Sequence, residues 1–209
     1  MDYLVVFIGV FAVFIPALLL PGPDFVAVVR SSMTRGSKAG LATTAGVSMG
    51  LCLYASLSLL GLSAILVQYQ WLTWTVRILG GAYLIYLGIR LLMSNAKAVD
   101  VEPRDAPRRS ALLFGFLVTL TNPKAIVLFA SVFATAVTAA TPLWVMVLMI
   151  VLVTASSLIW YSLVSLFMSS APVMRRFQNA RHRIEKAAGA CFVAIGIKVM
   201  ADARSPVSA

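Results

Sequence analysis

Residues 39–67 and 142–170 each run without a single charged side chain. The hydrocarbon core of a bilayer is about 30 Å thick and takes roughly 20 apolar residues of helix to cross. A water-soluble fold would have to bury both stretches beneath a charged surface, and this chain has little with which to build one. Only 11% of its residues are charged against 61% hydrophobic, with a mean hydropathy of +0.95; an ordinary soluble domain carries about 25% charged residues. The same balance excludes intrinsic disorder, and two cysteines cannot make a disulfide framework. The chain reads as an all-α integral membrane protein, one transmembrane domain over residues 1–209.

Four further apolar segments complete the plan. Residues 3–29 are uncharged from Tyr3 to Pro23 and then carry Asp24. The segment from Trp71 to Met93 has Arg77 and Arg90 near its ends, and residues 111–138 hold Lys124. Only 187–197 are strictly uncharged in the last, which reaches residue 202 if Lys198 snorkels to the interface. Six transmembrane helices are therefore expected. Residues 94–110 read as the loop that joins two halves, about 1–94 and 110–203, and 171–186 read as a shorter basic loop. The start Met1-Asp2-Tyr3 lacks the basic region of a cleavable signal peptide.

Orientation follows from the basic residues. Arg30, Arg35 and Lys38 lie between spans one and two; Lys97, Arg104, Arg108 and Arg109 lie between three and four; Arg175, Arg176, Arg181 and Arg183 lie between five and six. The connections near 68–70 and 139–141 have none. The positive-inside rule assigns the basic loops to the cytoplasm and both termini to the outside, with Tyr69, Trp71, Trp74 and Trp144 at the outer interface. Orientation thus accounts for the net charge of +10, and nucleic acid is not expected as a partner. His182 lies among arginines with no evident catalytic partner, and no phosphate-binding G-x-x-x-x-G-K-[ST] element occurs.

The two halves echo each other. Gly81-Ala82 and Gly88-Ile89-Arg90 recur as Gly189-Ala190 and Gly196-Ile197-Lys198, at a constant offset of 108. Leu20, Pro23 and Asp24 match Leu120, Pro123 and Lys124 at an offset of 100. Three spans is an odd number, so the second half enters the membrane upside down relative to the first, the arithmetic of an inverted repeat. Helices one and four are both broken, at Pro21-Gly22-Pro23-Asp24 and at Asn122-Pro123-Lys124. Prolines remove backbone donors, and irregular backbone at membrane depth is tolerated only inside protein or along a wet cavity. A membrane-buried charge costs at least about 2.5–3.5 kcal/mol and is usually paired or functional. Asp24 and Lys124, opposite in sign and matched in position, are the candidate chemistry. They either pair with each other or hold the two charges of a solute, with the helix starts beyond Pro23 and Pro123 attracting a carboxylate.

The Pro21-Gly22-Pro23-Asp24 and Asn122-Pro123-Lys124-Ala125 elements, with the stretch Gly81-Ala82-Tyr83-Leu84-Ile85-Tyr86-Leu87-Gly88, resemble the lysine exporter superfamily in its homoserine/threonine exporter branch. The likeness spans nearly the whole chain. The family more often has Asn where this chain has Asp24. The resemblance implies a secondary exporter of amino acids or their derivatives across the bacterial inner membrane, driven by proton antiport, and it adds Tyr86 to the candidate pathway residues. Export of another small solute or a metal ion, and a non-transport membrane subunit, are the alternatives. No catalytic residues, metal site or cofactor are expected. A chain this small is expected to form a homo-oligomer.

Other polar positions read as helix packing: Thr43, Thr44, Ser48 and Ser56 on span two, and Ser156, Ser157, Trp160 and Tyr161 on span five. Cys52 and Cys191 read as small apolar packing residues. The orientation is testable in intact cells. Single cysteines at Gln68 and Ala140 are expected to react with an impermeant thiol reagent and one at Ala180 is not; labelling at Ala180 would reverse the topology.

Overall fold

A computed structural model of the chain describes residues 3–62, 65, 68–94, 110–133, 136, 141–167 and 171–204. The described elements are all helical. Helix α1 (Tyr3–Leu19) and α2 (Pro23–Arg35) form one bent unit, with 41° between them. Helix α3 (Ser37–Ser56) follows and continues as a π-helical stretch, Leu57–Leu62. Next come α4 (Gln70–Leu92) and a second bent unit, α5 (Ala111–Leu120) and α6 (Pro123–Leu128), which continues as the π-helix Phe129–Phe133. The second bend is 54°. Helix α7 (Leu143–Phe167) and α8 (Ala171–Ala201) complete the fold.

By length and composition, Ser37–Gly61, Trp71–Leu92 and Leu143–Phe167 are each able to cross a membrane, and the two bent units bring the number to five. Helix α8 falls outside that set because its first half is charged. It also corrects the sequence reading of 171–186 as a loop. Those residues are the opening turns of α8. Pro172 sits in the first turn, where its missing N–H is harmless, and no later proline interrupts the helix. The joining loop, 95–109, lies outside the described residues.

Small residues set the helix spacing. Helices α4 and α8 touch backbone to backbone: a methyl group on Gly81 would sit 2.8 Å from the Gly196 carbonyl, and one on Gly88 would sit 2.7 Å from that of Gly189. The indices rise along one helix as they fall along the other, so this pair is antiparallel. Helices α3 and α5 meet the same way, with Gly46 against the Leu112 carbonyl and, a turn further on, Gly50 against Thr119; here the indices rise together and the pair is parallel. Between α2 and α3, Gly36 turns the chain at φ 82°, a region costly for any other residue, and its N–H caps the Ser32 carbonyl.

Polar side chains then join the helices. Thr43 donates to Ser31 at 2.8 Å, Ser157 to Ser48 at 2.9 Å and Thr44 to the Tyr161 carbonyl at 3.1 Å, while the Ser32 and Ser165 hydroxyls lie 2.9 Å apart. Such bonds within a membrane bundle contribute about 0.6 kcal/mol each on average. The packing expectation for Thr43, Thr44, Ser48 and Ser157 holds. Around this seam, Phe14, Phe25, Phe129, Phe133 and Phe192 are fully buried, whereas Leu4, Ile8, Trp71, Leu143 and Ile159 are among the large apolar side chains left outside, as lipid contact requires.

The spacing argument has a direct check. Gly46→Ala drives a methyl group into backbone and is expected to cost about 1–3 kcal/mol, seen as a lower midpoint in thermal unfolding of detergent-purified protein. Gly9→Ala, with nothing within 4 Å of the added carbon, is expected to leave the midpoint unchanged or raise it.

Candidate functional site

Two prolines of the first bent unit, Pro16 and Pro21, each strand a carbonyl four residues before them. Pro16 strands Ala12, and the Cys191 thiol on α8 donates to that oxygen at 3.0 Å. Pro21 strands Ala17, and the Lys124 ammonium on α6 donates to that oxygen at 2.8 Å. Gly22 leaves room for the approach, since a methyl group there would lie 3.1 Å from Lys124 Nζ. Pro23 opens α2 in the first helical position, which tolerates the lost donor.

The second break is satisfied differently. Asn122 caps α6: its Oδ1 accepts from the Lys124 backbone N–H at 3.1 Å. Its amide nitrogen donates to Asp24 Oδ2 at 3.0 Å, and the Thr119 hydroxyl donates to Asp24 Oδ1 at the same distance. The Leu120 carbonyl at the end of α5 accepts from the Tyr54 hydroxyl at 2.8 Å, and the Tyr54 ring stacks on Phe129 at 6.0 Å. Gly50 fits against Thr119, where a methyl group would lie 2.8 Å from its Cβ.

Between the two breaks lies a cavity of about 20 Å³ whose lining includes Phe14, Asp24, Leu51, Lys124, Phe129 and Tyr161. That is room for about one water molecule. Asp24 is 3% exposed and Lys124 half-buried. The two charges share the cavity without a direct bond: each is bonded instead to groups of the opposite half of the chain. Chemically this is one anion and one cation held in place at a junction of helix ends.

The structure brings Pro21, Gly22, Asp24, Asn122 and Lys124 to one junction. Pro23 and Pro123 are exposed and shape the breaks rather than line the cavity. Tyr86 is not brought to this group: it is 57% exposed on α4, beside the Tyr83 ring at 6.2 Å. Sequence reasoning missed Thr119 and Tyr54, and took Cys191 and Tyr161 for packing residues. Counting four residues back from Pro16 and Pro21 finds the stranded carbonyls of Ala12 and Ala17, but not which side chains reach them. Among the described residues, no three His, Cys, Asp or Glu side chains cluster as a metal site.

The family model described as LysE type translocator matches residues 15–203. The threonine efflux protein of Escherichia coli strain K12 is 32% identical over 207 residues, covering 94% of this chain and 98% of its own. The threonine efflux protein of Salmonella typhi is 31% identical over 205 residues, with the same coverage. An uncharacterized membrane protein of Pseudomonas aeruginosa is 33% identical over 195 residues, covering 87% of this chain and 88% of its own. No solved structure matches.

Each charge also holds polar groups of the opposite half, and leaving such a partner unsatisfied costs about 1–3 kcal/mol. Lys124→Met and Asp24→Asn are each expected to lower the unfolding midpoint of the purified protein. The double variant is expected to lose less than the sum of the two. Strict additivity in that cycle would mean that the two charges do not sense each other.

Proposed function

The chain belongs to the LysE type translocator family, and from that premise we propose that it exports an amino acid, with threonine the first candidate, across the bacterial inner membrane by proton antiport. The relatives called threonine efflux proteins align with it nearly end to end. The observation that carries the reading is the shared cavity: Asp24 and Lys124 line it, neither bonded to the other. A zwitterion in a low-dielectric site needs a partner for each charge. Lys124 takes the carboxylate, exchanging its bond to the Ala17 carbonyl for one to the solute. Asp24 takes the ammonium group, steadied by Thr119 and Asn122, and takes a proton in its place on the return. That exchange couples the two fluxes.

A cavity of about 20 Å³ is too small for an amino acid, so loading requires the two bent units to part. We read the molecule as six spans in two inverted halves joined by the 95–109 loop, with α8 the sixth, both termini outside, and rocking of the halves as the motion. Contacts along α4 and α8 support the repeat. Exchanging positions by the offset of 108 turns the Gly81–Gly196 contact into the Gly189–Gly88 contact, and both are present. The expected homo-oligomer is part of the same proposal and rests on the small size of the chain.

Everted membrane vesicles with an imposed pH gradient test the function. Vesicles carrying the protein are expected to accumulate labelled L-threonine, and to stop when the gradient is collapsed. Loss of a charge-assisted hydrogen bond worth about 1.5–3 kcal/mol corresponds to roughly ten- to a hundredfold, the drop expected for Lys124→Ala and Asp24→Ala at normal membrane abundance. Lys97→Ala and Arg104→Ala are expected to transport like the parent. Full transport by Lys124→Ala would disprove the mechanism.

A further inference from the structure

A second cavity, of about 270 Å³, lies toward the end of the bundle that carries the chain termini. Its lining includes Gly9 and Val10 of α1, Arg77 near the start of α4, Val132 of the π-helix, and Lys198 and Asp202 at the end of α8. Two cations thus face one acid. The Arg77 guanidinium donates to the Asp202 backbone carbonyl at 2.9 Å, which ties the start of α4 to the end of α8. The remaining lining is mostly apolar, the mixture expected of a small-molecule site.

This cavity and the central one lie in line along the same elements. On α1, Val10 lines the outer cavity and Phe14, one turn further, lines the central one. On the second bent unit, Val132 lines the outer cavity and Phe129 the central one. What separates them is aromatic. The rings of Phe14 and Phe129 are 6.1 Å apart, those of Phe14 and Phe133 5.9 Å, and those of Phe129 and Phe133 4.4 Å, and all three residues are buried. The barrier is about one helical turn thick, near 5 Å. Two of its rings stand on the π-helix Phe129–Phe133, and a π-turn inserted in an α-helix is a frequent mark of a functional site. An apolar constriction of this kind excludes water and ions until its walls part.

We infer that the outer cavity is the exit vestibule of the transport path, a second site for the carboxylate of the exported solute, shut off from the central cavity by the Phe14–Phe129–Phe133 plug. The inference rests on the export reading above. Arg77 and Lys198 draw the carboxylate forward once the plug opens, and Asp202 offsets part of their charge so that release is not arrested. The central site holds one anion and one cation, whereas the vestibule has an excess of cation, so the two sites differ in what they demand of the solute. The vestibule selects for the carboxylate alone.

Cysteine chemistry reads the vestibule separately from transport. Gly9→Cys adds its side chain where nothing lies within 4 Å, in a Cys52→Ala, Cys191→Ser background that keeps a donor for the Ala12 carbonyl. In purified protein, a thiosulfonate reagent bearing a sulfonate is expected to react about tenfold faster than one bearing a trimethylammonium group, the low end of local charge focusing. Arg77→Gln with Lys198→Gln is expected to level the two rates, Arg77→Lys to preserve the difference, and L-threonine to slow the anionic reagent. Equal rates in the parent, or a preference that survives both glutamine substitutions, would overturn the vestibule. So would labelling that L-threonine leaves unchanged in a protein that transports it. A parent that moves no amino acid in the vesicle assay removes the export reading and the vestibule together, an outcome that labelling does not mimic.

Discussion

Hydrocarbon offers no hydrogen bonds, so a carbonyl stranded by a proline in a membrane helix must find a donor elsewhere in the protein. This chain strands two in its first bent unit, at Ala12 and Ala17, and both donors come from the second half, as Cys191 and Lys124. The debt runs the other way at the second break, where Tyr54 of the first half reaches the Leu120 carbonyl. Each half is therefore incomplete alone. Helix bending, which gives the site its shape, and docking of the halves, which gives the site its charges, are consequences of the same missing backbone donors.

That interdependence explains why two costly charges sit where they do. Lys124 serves as backbone donor and as cavity cation at once, and Asp24 accepts from Thr119 and Asn122 while facing the same cavity. A direct ion pair would satisfy both charges and leave nothing for a solute. Separate protein partners keep each charge solvated by the protein, and a substrate carboxylate can replace a neutral carbonyl at Lys124 with a gain in attraction. In the mechanism proposed above, this small cavity would be a resting arrangement, with the protein's own dipoles standing where the solute's charges would bind.

Much of this was legible in the sequence, for physical reasons. The uncharged runs at 39–67 and 142–170 can only be membrane helices, and both breaks appear at the prolines that demand them. Asp24 and Lys124 were found because a buried charge is conspicuous against an apolar background. Thr119, Tyr54 and Cys191 were not, because hydroxyls and thiols are common in membrane helices and most serve packing; only the position of the partner helix gives them a role. The first half of α8 was read as a loop because its arginines mask helical continuity, which charge does not forbid. Tyr86 entered through resemblance alone, and its exposed place on α4 gives it no contact with the central cavity.

The matched breaks are not chemically equivalent, and their difference bears on direction. At the offset of 100, Pro21-Gly22 corresponds to Thr121-Asn122, so the second break keeps the backbone N–H that the first has lost. The Thr121 N–H bonds the Leu117 carbonyl itself at 3.1 Å, while the corresponding Ala17 carbonyl depends on Lys124. Asp24, the counterpart of Lys124, could not perform that service while ionised, because a carboxylate only accepts hydrogen bonds. The first break thus depends on a side chain of the other half, and the second on its own backbone and on Asn122. In the export cycle proposed above, a carboxylate drawn to Lys124 would take the donor from the Ala17 carbonyl, so that substrate binding would act first on the Pro21-Gly22 break.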